Sequence, residues 1–227
     1  MSKKIYLSPS NQSNNAYAFG DTNEMVQCNR IADYAKAALE RCGFIVKKAP
    51  MGQEISVSAK ESNNFGADLH IPIHTNAGGG NGTLVMIYSN ASENLKAGTA
   101  LYNSVNAVTP GTVEYGVRVN PSLLELNSTT AIATYVECEF HDREDLAEFI
   151  INNVDVLGEA IAEGVCDYYG VSYVQGDSSE DQNDSDQTTG ETLYKVQAGA
   201  FKIKENAENL KKELNEAGFD AFISEGD

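Results

Sequence analysis

His74 closes a short apolar run, Leu69-His70-Ile71-Pro72-Ile73-His74, and is followed by Thr75-Asn76-Ala77 and the glycines Gly78, Gly79 and Gly80. A strand that ends this way presents its last side chain at the mouth of a sheet, where ligands bind in open α/β folds. Glu24 stands in the first turn of the first helical pattern. Glu137 and Glu139 end an otherwise apolar strand, Ala131 to Phe140. Neutral imidazole and carboxylate are the usual ligands of a catalytic zinc, which keeps three protein ligands and one water. A further carboxylate nearby can take the proton of that water. Each residue also has a plainer role open to it. Glu24, three positions after Asp21, fits the second half of a capping box. His74 fits a hydrogen-bonded strand-end histidine. Glu137 fits a surface acid, or a partner for Arg118 or Arg143. His70 shares a strand face with His74, but four strand residues span roughly 13 Å. It is therefore expected in the core or at the sheet edge, away from any metal on His74. His141 follows Phe140 in a loop and is expected in a structural or substrate-side role.

These residues need elements to position them. Ile5-Tyr6-Leu7 reads as a strand leading into a polar loop, Ser8 to Asn15, rich in turn formers. A helix follows from Asp21, with Ile31, Tyr34, Ala35, Ala38, Leu39 and Cys42 at helical spacing and Gly43 as its stop. Phe44-Ile45-Val46 is a second strand, Ser56 to Phe65 a short surface helix, and Ala67 to His74 the third strand. Gly82 to Tyr88 is a fourth strand, and Ser92 to Val108 a helix. Tyr115 to Val119 and Leu123 to Leu126 read as short strands or loop edges. Arg143 to Tyr169 is a long helical pattern broken near Asn152-Asn153 and ended by Gly170. Strand–helix alternation of this kind implies an α/β fold, a mostly parallel sheet with helices on both faces.

Composition sets the outer bounds. The chain has 227 residues and a net charge of −17. It carries no basic patch, so nucleic acid is a poor partner. No run approaches the about 20 apolar residues of a membrane helix. After Lys4 the apolar run is only Ile5-Tyr6-Leu7, short of the about 7–15 residues of a secretory core. The chain is therefore expected to be cytoplasmic as synthesised, with no membrane insertion. Cys28, Cys42, Cys138 and Cys166 show no C-x-x-C spacing and are expected to be reduced, mostly buried thiols. Residues 175–191 hold Asp177, Glu180, Asp181, Asp184, Asp186 and Glu191 and no large apolar residue. Such a segment is expected to be an acidic, disordered linker. It separates residues 1–174 from 192–227. In the latter, Leu193 to Phe201 and Phe219 to Ile223 alternate like strands about a helical pattern, Glu205 to Ala217.

The motifs Ile73-His74-Thr75-Asn76-Ala77 and Val136-Glu137-Cys138-Glu139-Phe140, with Glu24 in the right order, resemble the zinc-dependent N-acetylmuramoyl-L-alanine amidases of the type 3 family. The resemblance runs from residue 3 to about residue 172. It implies hydrolysis of the amide joining muramic acid to L-alanine in bacterial peptidoglycan. Glu24 and His74 would be two of three Zn²⁺ ligands and Glu137 the catalytic glutamate. Asn76, Glu139 and His141 are the substrate-side candidates. The chain departs from the family in Ser8-Pro9-Ser10-Asn11, where the pattern is D-P-G-H. Asn11 replaces the first histidine ligand and offers only an amide oxygen, a weaker zinc donor. Asn11, Gln12 and His141 are the substitutes available. Failing them, zinc binds weakly or the site is degenerate. Two other functions remain open: a catalytically inactive wall-binding protein, and a zinc peptidase on stem peptides. Tyr194 to Phe201 and Ala217-Gly218-Phe219-Asp220-Ala221 resemble the first half of a SPOR domain, which implies peptidoglycan binding.

Overall fold

The computed structural model describes residues 2–176 and, further on, the helical positions Glu208, Leu210, Lys211, Lys212 and Leu214. The chain divides into two compact units, Met1–Ser179 and Glu180–Asp227. The expected linker, beyond its first two residues, and the C-terminal strands lie outside the described residues.

The first unit is built on six strands: β1 (Lys4–Pro9), β2 (Ile45–Lys48), β3 (Leu69–Asn76), β4 (Leu84–Ile87), β5 (Gly116–Val119) and β6 (Ile132–Phe140). They lie in the order β2-β1-β3-β6-β4-β5. All neighbours are parallel except β4 and β6, which are antiparallel. The helices are α1 (Glu24–Arg41), α2 (Ile55–Phe65), α3 (Ser92–Val108), α4 (Leu124–Asn127), α5 (Glu144–Asn152) and α6 (Val154–Tyr169). The expected α/β sheet is present. Two local expectations change. Leu124–Asn127 is a helical turn rather than a strand. The helix opening at Asp21 begins instead at Glu24, because Asn23 caps it by accepting from the Val26 amide at 3.1 Å. Glu24 is thus the first helical residue and not a capping-box partner. The helical break near Asn152-Asn153 holds, and Gly170 ends α6 in the left-handed conformation that glycine adopts freely.

The central strand β3 is buried almost throughout, as expected for a parallel strand covered on both sides. Alternation sorts its side chains. Leu69, Ile71 and Ile73 enter the main core with α1, α3 and α6. His70, Pro72 and His74 face the other way. On that second face α4 covers Ala133 and Tyr135 with Leu126. The free thiols Cys28, Cys138 and Cys166 are buried and Cys42 is half-buried. Helices α1 and α6 meet at Gly158, where an added Cβ would lie 2.5 Å from the Cβ of Tyr34 and 2.8 Å from the Ile31 carbonyl oxygen. Backbone on the facing helix cannot give way cheaply. Gly158→Ala should therefore lower stability by about 1–3 kcal/mol, read as a drop in the urea midpoint. An unchanged midpoint would show that the two helices can part.

Candidate active site

The site forms where β1, β3 and β6 end. Parallel pairing carries the chain from Pro9 beside Ile73 into the polar loop, and the Ser10 amide bonds the Ile73 carbonyl at 2.9 Å. The loop then folds back on the start of α1. Ala16 bridges Asn23, and the Glu24 amide donates to the Asn15 carbonyl at 2.9 Å. This return brings the first helical side chain, Glu24, to the end of β3. Across the sheet, His74 is in register with Glu137 on β6.

The central contact is short and buried. His74 Nδ1 lies 2.7 Å from Glu24 Oε1. The His74 ring stacks on Tyr135, centroids 4.3 Å apart. Asn15 Nδ2 donates to Glu24 Oε2 at 2.6 Å and to Gln12 Oε1 at 2.9 Å. Gln12 Nε2 stands 3.3 Å from His74 Nδ1. Burial pushes the Glu24 carboxyl up, but the hydrogen bond and charge of His74, with Asn15 and Ser10, hold it below its ordinary value. Glu137 behaves oppositely. Burial drives its carboxyl up to about 7, Glu24 adds to this, and His74 opposes it. Its Oε2 is buried without a hydrogen-bond partner. Neither cation proposed for it from sequence is there: Arg143 pairs with Asp145 at 2.7 Å, and Arg118 donates to the Tyr115 carbonyl. Glu137 is therefore no surface acid.

The remaining candidates separate. Asn76 Oδ1 accepts from the Ala77 amide at 2.9 Å and shapes the turn after His74. Glu139, expected on the substrate side, is fully buried. Its carboxylate clasps two loops by accepting from the Gly82 and Gly111 amides at 2.6 and 3.0 Å. His141 is likewise held inside: its Nδ1 bonds Thr75 Oγ1 at 2.9 Å, and its ring stacks on Tyr17. It is not within the His74–Glu24 cluster. His70 bonds Glu125 at 3.1 Å, with Ser8 on the same carboxylate, in a buried polar layer apart from His74. The sequence did not single out Gln12 and Asn15 as a pair. Both are common loop residues, and only the folded-back loop brings them to Glu24.

Whether zinc fits depends on the donor set. Glu24 and His74 supply one carboxylate and one imidazole in contact. The third ligand of a catalytic zinc would come from the loop, which offers only amides at Asn11 and Gln12. Among the described residues no group of three or more His, Cys, Asp and Glu is placed to hold a metal ion. The residues present do not fit a three-ligand zinc site.

Fold and site together define a class: an open α/β domain with a buried imidazole–carboxylate pair and a second, unpaired carboxylate at the carboxyl edge of a parallel sheet. The chain belongs to the N-acetylmuramoyl-L-alanine amidase family Amidase_3, whose model matches residues 9–167. A SPOR domain model matches residues 180–227. The chain is 29% identical over 167 residues to the sporulation-specific N-acetylmuramoyl-L-alanine amidase of Bacillus subtilis strain 168, covering 71% of this chain and 58% of that protein. It spans between 50% and 63% of the length of the curated relatives it matches. The solved N-acetylmuramoyl-L-alanine amidase from Clostridium difficile 630 shares the fold, with a TM-score of 0.67 and 19% identity over 74% of this chain and 97% of that one. The catalytic domain of the CD27L endolysin targeting Clostridia difficile matches with a TM-score of 0.60 and 25% identity, over 72% and 96%.

Burial of Glu137 has a consequence for stability. A carboxyl raised from 4.5 to about 7 on folding lends stability that is full below the unfolded value and lost as pH rises through the folded one. Wild type should therefore lose stability relative to Glu137→Gln between about pH 4.5 and 7, with the difference constant above. Urea unfolding at several pH values measures it. A parallel pH dependence of the two proteins would show that Glu137 is not desolvated.

Proposed function

We propose that the chain is a peptidoglycan hydrolase that cleaves the amide between N-acetylmuramic acid and L-alanine. One observation carries the proposal: a half-buried glutamate, Glu137, has a buried oxygen without a hydrogen-bond partner and a carboxyl pushed up to about 7 beside the His74–Glu24 pair. A base with that value is half ionised at physiological pH, where general-base catalysis is most efficient. Ionised Glu137 would take a proton from a water whose oxygen attacks the carbonyl carbon. The carbon–nitrogen bond then breaks, and Glu137 returns the proton to the leaving alanine nitrogen. The products are a carboxylic acid on the sugar's lactyl group and a free L-alanine amine. His74, held by Glu24 and Tyr135, forms the floor against which water and substrate are placed.

The zinc that the family resemblance implies would find two of its ligands in Glu24 and His74 and no third of comparable strength. Its Lewis-acid help to the carbonyl is therefore not assumed. Residues 180–227, matching the SPOR model, would bind the same polymer and raise the local concentration of substrate. Among the described residues no helix is long and apolar enough to cross a membrane. The chain would meet the wall after release or export.

Purified full-length protein incubated with peptidoglycan should release new N-terminal alanine, at a rate that rises with pH through about 7 as Glu137 ionises. Glu137→Gln should lower that rate by about 10²–10⁴ with the thermal unfolding transition retained. Release of other amino groups, with alanine still on muramic acid, would mark a peptidase on stem peptides. Binding without release would mark a wall-binding protein only.

A further inference from the structure

We infer that in this chain the Glu24–His74 pair is closed by a hydrogen and braced by Asn15, itself bonded to Gln12, and that this web stands where the family holds zinc, so the site does not retain the metal. The inference rests on the site assigned above, but not on its turnover.

The directions of the amides follow one from another. An ionised carboxylate only accepts hydrogen bonds, so the atom of Asn15 at 2.6 Å from Glu24 Oε2 is its NH₂ nitrogen. The same nitrogen lies 2.9 Å from Gln12, so that end of Gln12 is its oxygen. The other end, 3.3 Å from His74 Nδ1, is therefore an NH₂ group. At His74 the neighbour at 2.7 Å is Glu24 Oε1. Two lone pairs cannot face each other at that distance, so Nδ1 carries its hydrogen and donates to Glu24. While it donates to Glu24, Nδ1 has no lone pair for a metal, and the lone pair left on Nε2 lies on the other side of the ring from the Glu24 carboxylate.

Each of these facts opposes a cation. The His74 nitrogen that faces Glu24 is already donating to it, so the two residues cannot share one ion in this arrangement. The nearest loop side chain turns N–H hydrogens, not oxygen, toward that nitrogen. Both oxygens of Glu24 are engaged, Oε1 by His74 and Oε2 by Asn15, in a residue only 1% exposed. A metal would have to displace the hydrogen bonds of Glu24 to His74 and to Asn15 and would gain two strong ligands in return. Glu137 is the contrast, since its Oε2 has no partner. The unmet demand in this site is for a water at Glu137, not for a cation at His74. In this arrangement Asn15 is a positioning residue: it holds Glu24 against His74, and Gln12 holds Asn15.

Metal content decides the matter. Full-length wild type, loaded with excess zinc and desalted, should retain far less than one zinc per chain by elemental analysis, and calorimetric titration should show no tight site. The double variant Asn11→His with Gln12→Gly removes the facing NH₂ group and restores an imidazole in the loop. It should bind zinc at least about tenfold more tightly than wild type, and His74→Ala in that background should abolish the gain. Thermal melts of each protein confirm folding, and if the double variant does not fold, wild-type zinc content alone decides. Wild type that keeps one zinc per chain through desalting, and loses it in Glu24→Gln, would overturn the inference while leaving the amidase proposal intact. Low zinc content with no release of alanine would uphold the inference and defeat the amidase proposal.

Discussion

The buried contact between Glu24 and His74 is the constraint on which the rest of the site depends. A carboxylate taken out of water with no hydrogen-bonding partner is strongly destabilising. The chain meets this demand by geometry drawn from three places. The parallel pairing of β1 with β3 sets where the polar loop leaves the sheet. The loop folds back so that Asn15 bonds the Glu24 amide with its backbone and the Glu24 carboxylate with its side chain. Asn23 caps α1 and fixes Glu24 as the first residue of the helix. Each device is ordinary alone, and together they hold the pair at 2.7 Å.

A second carboxylate close by acquires the opposite character. Glu24 is held below its ordinary value because donors surround it, whereas Glu137 is driven up to about 7 because burial is not offset by any hydrogen bond to Oε2. Two acids whose environments push them apart divide the labour of a site: one is structural and permanently charged, the other is free to exchange a proton. The charge on Glu24 also helps raise Glu137, so the pair that organises the pocket tunes its base as well. Glu139, two residues on, is drawn into a third role by the backbone amides of Gly82 and Gly111.

Much of this was legible in the sequence. The sheet, the length of α3 and the break between α5 and α6 follow from periodicity and from Asn153 and Gly170. The strand-end position of His74 follows from the polar turn after it. Two errors have local causes. Leu123 to Leu126 is too short for periodicity to tell a helical turn from a strand. At the start of α1, Asp21 and Asn23 are both good caps, and only the backbone bridge from Ala16 to Asn23 selects the later one. Glu139 and His141 resisted sequence analysis for a different reason. The partners of Glu139 are backbone amides and those of His141 are Thr75 and Tyr17, all distant in the chain, and no local pattern announces them. Asn11 drew attention by replacing a histidine, yet it is the neighbouring Gln12 and Asn15 whose side chains reach the pair, through a turn that no spacing rule specifies.

The site is thus best understood as an imidazole–carboxylate pair closed on itself, beside a desolvated base. Nitrogen-15 magnetic resonance of histidine-labelled protein tests that description most directly. The His74 Nδ1 signal should show a directly bonded hydrogen both in zinc-free buffer and with zinc added. Loss of that hydrogen, with a shift of Nδ1 to a metal-bound position when zinc is supplied, would contradict it.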